Sequence, residues 1–122
     1  MDDILNYLAD RIELVTFLVG IIFIITGLLM RKFPPKKINA LYGYRTSSSM
    51  KSQQVWDFSQ KYSADKMVLG GLFLFAVSFL RSFIDTSQEV PIIIGLILMI
   101  MVCIYMFFTT EKAIKKNFPN NN

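Results

Sequence analysis

The amino-acid sequence predicts an all-α integral membrane protein, a three-transmembrane-helix bundle with an interfacial helix in its cytoplasmic loop. Two observations predict this fold class. The 122-residue chain is 53% hydrophobic, with a mean hydropathy of +0.45, and is therefore too apolar for an ordinary soluble domain of this size. Its apolar residues also collect in three runs, at about 12–30, 67–84 and 90–108. We therefore expect residues 1–122 to form a single membrane domain.

The three runs differ in how well they match the thickness of a membrane. A helix of nineteen residues rises about 28 Å, which is close to the roughly 30 Å of a hydrocarbon core. The first and third runs have this length, whereas the uninterrupted part of the second run, from Met67 to Leu80, has only 14 residues. The second span is completed by continuing past Arg81 to Ile84, because an arginine near a helix end can place its charge among the headgroups.

The first run is predicted to be a retained anchor and not a cleaved signal peptide. Signal peptides begin with a basic region and have a short apolar core. This chain begins with the acidic residues Asp2, Asp3 and Asp10, and a basic, proline-containing segment at 31–37 follows the long first run. Such a flank is typical of the cytoplasmic end of a transmembrane helix.

The distribution of basic residues predicts the orientation. Eleven of the thirteen lysines and arginines lie in the connecting loop at 31–66 or in the C-terminal tail at 109–122. The positive-inside rule assigns these segments to the cytoplasm, so three spans place the N-terminus outside and the C-terminus inside a bacterial cytoplasmic membrane. The net charge of +4 is explained by this topology and by anionic headgroups, and we expect no direct nucleic-acid partner.

The sequence offers no candidate catalytic group, and we predict no enzyme activity, no cofactor and no metal. Histidine is absent, and the single cysteine, Cys103, lies among apolar residues where it is expected to pack as a small hydrophobe. Glu13 has two interpretations. It could be a proton or cation site in the membrane, or it could lie in the headgroup region beside Arg11, which is the interpretation we favour.

Small residues recur on one face of the first and of the second predicted span, and a glycine opens the third. Close approach of helix backbones in a membrane requires such residues, so the pattern indicates a compact three-helix bundle, with a homodimer as an alternative. The residues are Thr16, Gly20 and Gly27 in the first span, Gly71, Ser78 and Ser82 in the second, and Gly95 after Pro91 in the third.

The cytoplasmic loop is predicted to have its own structure. Pro34-Pro35 ends the first helix, and Tyr42-Gly43-Tyr44 predicts a tight turn with glycine at a positive φ. Ser48 or Ser49 is expected to cap a new helix. Trp56, Phe58 and Tyr62 would then lie at headgroup level on a helix that could run directly into the second span.

The loop carries a motif that resembles the signature of the SdpI family. These are small bacterial membrane proteins related to the immunity protein for a secreted sporulation-delay toxin. The resemblance rests on Asn39, Tyr42, Gly43, Tyr44, Arg45 and Thr46, followed by Ser49, Met50, Lys51 and Trp56. It implies protection against a toxin peptide, or signalling in which the membrane protein holds a cytosolic transcriptional repressor at the membrane.

The chemistry of the motif residues suggests candidate roles in binding a partner or a headgroup. Arg45 can hold a phosphate or carboxylate with two parallel hydrogen bonds, and its target could be a lipid headgroup, a partner protein or Asp57. The expected structural roles are turn and cap formation by Asn39, Thr46 and Ser49, and interfacial anchoring by Trp56. Tyr42 and Tyr44 could line a partner pocket or simply lie at the interface.

Two functions of other classes are alternatives to immunity and signalling. The first alternative is a small transporter or channel-like subunit with Arg45 at its cytoplasmic mouth. The second is an enzyme of lipid metabolism in which Arg45 holds a phosphate, but the sequence supplies no nucleophile or base for it. We therefore expect a protein whose partners are the bilayer, a toxin peptide and a cytosolic repressor.

Overall fold

The computed structural model describes residues 3–6, 12–83 and 89–119, and these residues form helices and loops with no strand. A single helical turn at 3–6 precedes the main part of the fold. The other helical elements are α1 (Leu14–Lys32), α2 (Gln53–Ser78), a 3₁₀ helix (Phe79–Phe83) and α3 (Glu89–Asn117).

The ends of α1 and α2 follow from local sequence. Glu13 caps α1, because its carboxylate accepts a hydrogen bond from the backbone N–H of Thr16 at 2.6 Å. The helix ends at Lys32, before the two prolines that disfavour its continuation. Ser52 caps α2 by accepting a bond from the N–H of Val55 at 3.2 Å. The expectation that Ser48 or Ser49 caps this helix is therefore wrong by one turn.

Helices α1 and α2 run antiparallel in close contact along the whole length of α1. At one end, the N–H of Glu13 donates to the carbonyl of Ser78 at 2.9 Å. In the middle, a Cβ added to Gly20 would lie 2.9 Å from the carbonyl oxygen of Gly71. Near the other end, a Cβ on Gly27 would lie 2.9 Å from the carbonyl oxygen of Ala64. The prediction that small residues line this interface is confirmed.

Helix α3 packs against α2 and touches α1 near one end. A Cβ on Gly95 would collide with the Thr16 hydroxyl, and a Cβ on Gly70 would collide with Val102. The chain therefore forms an up-down-up bundle. The loop between α1 and α2 lies at the same end as the C-terminal part of α3. The expectations for three residues cannot be compared with the structure, because the described part of the chain does not include Arg11 or the side chains of Arg81 and Ser82.

The outer surfaces of the helices are strongly apolar. Two helices of the described chain are long and apolar enough to cross a membrane, and the mean hydropathy of their most apolar 18-residue windows is 2.4 for α1 and 2.8 for α3. Only 22% and 17% of their most apolar windows are buried, so most of their hydrophobic side chains face outward. Such exposure distinguishes them from the core helices of a soluble protein. The two helices therefore have the composition of membrane spans.

The middle helix has the continuity that the sequence allowed, but not the composition of the predicted second span. The expected loop helix and the second apolar run form one continuous helix of 26 residues, α2. Its first half is polar, and α2 does not reach the composition of a membrane span. The third helix is also longer than expected, because α3 continues from the apolar run at 90–108 through most of the predicted tail.

Candidate functional site

The candidate site is the loop between α1 and α2, residues 33–52, with the parts of the three helices that contact it. Asn39 organises the first half of this loop. Its side-chain oxygen accepts bonds from the N–H groups of Leu41 and Tyr42 at 2.9 and 2.7 Å, and its amide donates to Lys37 O at 3.0 Å. These bonds form an Asx turn. The amide of Asn39 therefore satisfies backbone groups, as the sequence suggested.

Gly43 allows the chain to turn tightly against α2. Its φ of +111° belongs to the region that favours glycine, and the predicted turn at Tyr42-Gly43-Tyr44 is present. A Cβ at this position would lie 2.5 Å from the Gln60 side-chain oxygen and 2.8 Å from Pro35. Glycine is therefore required both by the backbone conformation and by the space available.

Gln60 fixes the turn to α2 by pairing with the backbone of Tyr44. Its side-chain oxygen accepts from the N–H of Tyr44 at 2.6 Å, and its amide nitrogen donates to the carbonyl of Tyr44 at 2.8 Å. Gln60 is only 1% exposed, so both polar ends of its amide are satisfied in a buried position. Sequence reasoning missed this residue, although it lies one turn after Trp56 on the same face of α2.

Trp56 is a core residue and not an interfacial anchor. The indole is fully buried, and its N–H donates to the carbonyl of Pro35 at 2.7 Å. The expectation that the Trp56 ring is an interfacial anchor is therefore wrong. The indole needs apolar surroundings for its ring and a hydrogen-bond acceptor for its N–H. Both are found inside the protein, where the ring is buried and the N–H reaches a loop carbonyl.

The second half of the loop is closed by hydroxyl groups. The Ser49 Oγ accepts a bond from the N–H of Thr46 at 2.8 Å and lies 3.1 Å from the carbonyl of Tyr44, to which it donates. Ser49 is fully buried. Met50 follows in the same turn, and its N–H donates to the Thr46 carbonyl at 3.1 Å. Ser49 therefore has the turn-forming role that the sequence suggested.

Glu111 on α3 is the residue on which the second half of the loop converges. One carboxylate oxygen accepts from the hydroxyls of Tyr44 at 2.7 Å and Thr46 at 3.0 Å, and the other accepts from Ser48 at 2.5 Å. Sequence reasoning missed Glu111 because a lone glutamate in a lysine-rich tail is typical of a solvated position. We call Glu111 and these three hydroxyl residues the Glu111 clasp.

The electrostatics of the clasp favour a charged carboxylate. Partial burial raises the pKa of Glu111, but the hydroxyls of Ser48, Tyr44 and Thr46 and the positive charge of Lys115 outweigh it, and the pKa lies below its ordinary value. Burial is the main cause that raises the pKa of Tyr44, and the Glu111 carboxylate adds to it. Tyr44 therefore remains a hydrogen-bond donor, and Glu111 remains an acceptor, at neutral pH.

Arg45 and Tyr42 have different environments at the loop surface. Arg45 is exposed, and its Nε donates to the carbonyl of Asn39 at 2.8 Å. In the described part of the chain it forms no ion pair with Asp57, whose carboxylate accepts from Gln53 at 2.7 Å. Tyr42 is 43% exposed and donates its hydroxyl to the carbonyl of Phe33, at the end of α1, at 3.0 Å.

The opposite end of the bundle holds a buried carboxylate. Glu13 is 7% exposed and is used as the cap of α1, with a further bond from the Thr16 hydroxyl at 2.5 Å. The depth of Glu13 in the membrane and its place beside Arg11 stay predictions, because the structure shows only that its carboxylate is buried against the start of α1. Within the described ranges, no group of three or more Cys, Asp or Glu side chains is arranged to hold a metal.

Comparison with known proteins identifies the family of the chain. The model of the SdpI/YfhL protein family matches residues 36–109, which include most of the loop, all of α2 and the apolar part of α3. The chain belongs to the SdpI/YfhL family. A curated relative, "Uncharacterized protein YfhL" of Bacillus subtilis (strain 168), is 41% identical over 96 residues, which are 79% of this chain and 82% of that protein. No solved structure matches the chain.

The family match and the geometry concern the same loop. The SdpI/YfhL region contains Tyr44, Thr46 and Ser48 of the Glu111 clasp and ends two residues before Glu111 itself. The side chains of Tyr44, Thr46 and Trp56 join the loop to the helices, whereas those of Asn39 and Ser49 fold the loop itself. Arg45 and Lys51 are the motif residues that place a charge on the exposed surface of the loop.

Proposed function

We propose that this SdpI/YfhL family member crosses the bacterial cytoplasmic membrane three times and protects the cell against a secreted toxin peptide. In this proposal the loop and the C-terminal end of α3 lie in the cytoplasm. When the protein contacts the toxin at the membrane, its loop binds a cytosolic transcriptional repressor and holds it there. The family match over the loop and two helices is the observation that carries the function.

Helix packing supports the proposal that α2 crosses the membrane between α1 and α3. The contacts of α1 with α2 extend from Glu13 at one end of α1 to Gly27 near the other, where they reach Ser78 and Ala64 respectively. Because α2 lies beside α1 over this whole length, it occupies the same depth of the bilayer as α1. If α1 crosses the membrane, α2 returns across it and α3 crosses again. The polar first half of α2 then projects into the cytoplasm beside the loop.

The topology is tested with reporter fusions. A reporter that is active only in the cytoplasm, placed in the loop after Ser47 or after Asn117, is expected to be active, because these positions lie at the basic end of the bundle. The matched control is a reporter that is active only outside the membrane at the same two positions, which is expected to be inactive. Activity of the external reporter in the loop contradicts the proposed orientation.

The immunity proposal is tested by survival of toxin-sensitive bacteria. Cells that express the wild-type protein are expected to survive a toxin of the sporulation-delay class, and cells without it are not. Arg45→Ala, at equal membrane levels, is expected to protect less well, because Arg45 is the exposed guanidinium of the motif. Lys37→Ala, which removes a neighbouring exposed charge, is the control and is expected to protect fully. Absence of protection by the wild-type protein removes the immunity proposal.

The signalling step has its own measurement. Where a transcriptional repressor is encoded beside the gene, a fluorescent fusion of that repressor is expected to move to the membrane when toxin is added to cells that contain the wild-type protein. The same fusion is expected to stay in the cytosol with Arg45→Ala. Movement that does not depend on this chain would show that the repressor is held by another protein.

A further inference from the structure

The cytoplasmic end of the bundle contains an open cavity that the family motif does not explain. It has a volume of about 420 Å³, within the range of small-molecule sites, and it lies between the end of α1, the Pro34-Pro35 turn and the first half of α2. Its buried floor is formed by Met30, Pro35 and Gln60. Arg45 does not line it.

The rim of the cavity is basic. Arg31, Lys36 and Lys61 line it together with one acid, Asp57. Asp57 accepts a bond from Gln53, and Arg31 forms an ion pair with Asp65 through one guanidinium nitrogen at 2.6 Å. The two lysines form no ion pair in the described part of the chain. Even when Asp65 is counted, positive charges outnumber negative charges around this opening.

The position of the cavity indicates the chemistry of its ligand. Met30 is the last residue of the apolar run of α1, and the basic residues begin directly after it, so the cavity lies at the level of the cytoplasmic headgroups. A partly apolar floor below a cationic rim is complementary to an amphiphile that carries a phosphate. Basic pockets of this kind between membrane helices hold anionic headgroups.

We propose that this cavity, formed by Met30, Pro35 and Gln60 with Arg31, Lys36 and Lys61 at its rim, binds the phosphate of an anionic phospholipid headgroup. Lys36 and Lys61 contact the phosphate as charge-assisted donors. Arg31 contributes its charge while it holds Asp65. The proposal concerns residues outside the signature of the loop and does not depend on toxin immunity.

The experiment uses the purified full-length protein in a zwitterionic detergent, titrated with dioleoylphosphatidylglycerol. Lipid retention is counted by native mass spectrometry, and binding is followed by the emission of Trp56, the single tryptophan, whose N–H is bonded to Pro35 at the cavity floor. The test variant is Lys36→Gln/Lys61→Gln. The control is Lys32→Gln/Lys37→Gln, which removes the same charge from exposed lysines that do not line the cavity.

The wild-type protein is expected to retain one molecule of the lipid. The test variant is expected to bind it about tenfold or more weakly, because it loses two charge-assisted bonds. The control variant is expected to stay within about twofold of the wild type, since exposed charges beyond the contact are screened. All four lysines are exposed, and circular dichroism spectra that match the wild type establish that the variants fold.

Three results would overturn the proposal. Equal losses in the two double variants would show that general surface charge attracts the lipid. Unchanged binding by Lys36→Gln/Lys61→Gln would show that the cavity is not the site. A parallel titration with inorganic phosphate in lipid-free detergent distinguishes a lipid phosphate from a free phosphate. Phosphate binding that depends on Lys36 and Lys61, without lipid binding, would assign the cavity to a free anion instead.

Discussion

The Glu111 clasp predicts how strongly the loop is held to α3. Glu111→Ala removes the acceptor of three hydroxyl groups, those of Tyr44, Thr46 and Ser48. A hydrogen bond to a charged group contributes about 1.5–3 kcal/mol, but this carboxylate is partly accessible and the freed hydroxyls can bind water, so roughly 1 kcal/mol each is appropriate. We expect the free energy of unfolding to fall by about 2–4 kcal/mol.

The loss is measured by equilibrium unfolding in mixed micelles, with the emission of Trp56 as the signal, since this residue joins the loop to α2. The matched control is Glu89→Ala, which removes an exposed glutamate at the other end of the same helix. Its expected cost is below about 1 kcal/mol, the contribution of a charge near a helix N-terminus. Equal losses for Glu111→Ala and Glu89→Ala would refute a stabilising role for the clasp.

The dependence of the clasp on pH has a defined sign. Because the pKa of Glu111 is lowered in the folded protein from the ordinary value of 4.5, its charged form is favoured by folding. This contribution is fully present above pH 4.5 and is lost as the pH falls through the folded-state value. The difference in stability between wild type and Glu111→Ala is therefore expected to be constant from neutral pH down to about pH 5.5 and to narrow below pH 4.5. A difference that widens on acidification contradicts the assignment.

Three further substitutions test the packing, each by the same unfolding measurement. Gly20→Ala places a methyl group against backbone atoms of α2 and is expected to cost about 1–3 kcal/mol, whereas Leu18→Ala on the exposed face of α1 should cost less. Trp56→Phe leaves the carbonyl of Pro35 without its donor and is expected to cost about 1–3 kcal/mol. Gly43→Ala places a Cβ on a residue with a positive φ and against the Gln60 side chain, and it is expected to lower the free energy of unfolding by about 1–3 kcal/mol. Wild-type stability in any of these variants contradicts the corresponding contact.

Local sequence is sufficient for the end of α1, for its buried stripe of small residues and for the turn at Gly43. The Pro34-Pro35 pair ends α1, and the stripe of Thr16, Gly20 and Gly27 is buried against its neighbours, as predicted. These features depend on short-range geometry, because proline limits its own backbone and a helix brings residues three or four apart onto one face. The turn at Gly43 follows from the same kind of local rule.

The residues that sequence reasoning missed depend on contacts between distant parts of the chain. Glu111 lies 63 to 67 positions after the hydroxyls that it accepts from, and no local pattern connects a glutamate in a basic tail with a loop before α2. Gln60 lies 16 positions after Tyr44, and a glutamine in this polar stretch of sequence is typical of a solvated helix face. The sequence predicts Trp56 at the interface because tryptophan is common there, and only the tertiary fold shows that the ring is buried with its N–H bonded to Pro35.

The loop connects all three helices at one end of the bundle, and this arrangement limits how they can move. Tyr42 contacts the end of α1, Gln60 joins the turn to α2, and Glu111 joins it to α3. Because the same short loop carries all of these bonds, α3 cannot shift against α2 at this end without breaking the clasp or deforming the turn at Gly43. Any ligand that favours such a shift must therefore bind the shifted state better by at least the energy of the clasp. The exposed side chain of Arg45, whose Nε is bonded to the carbonyl of Asn39, would then move with the loop at its surface.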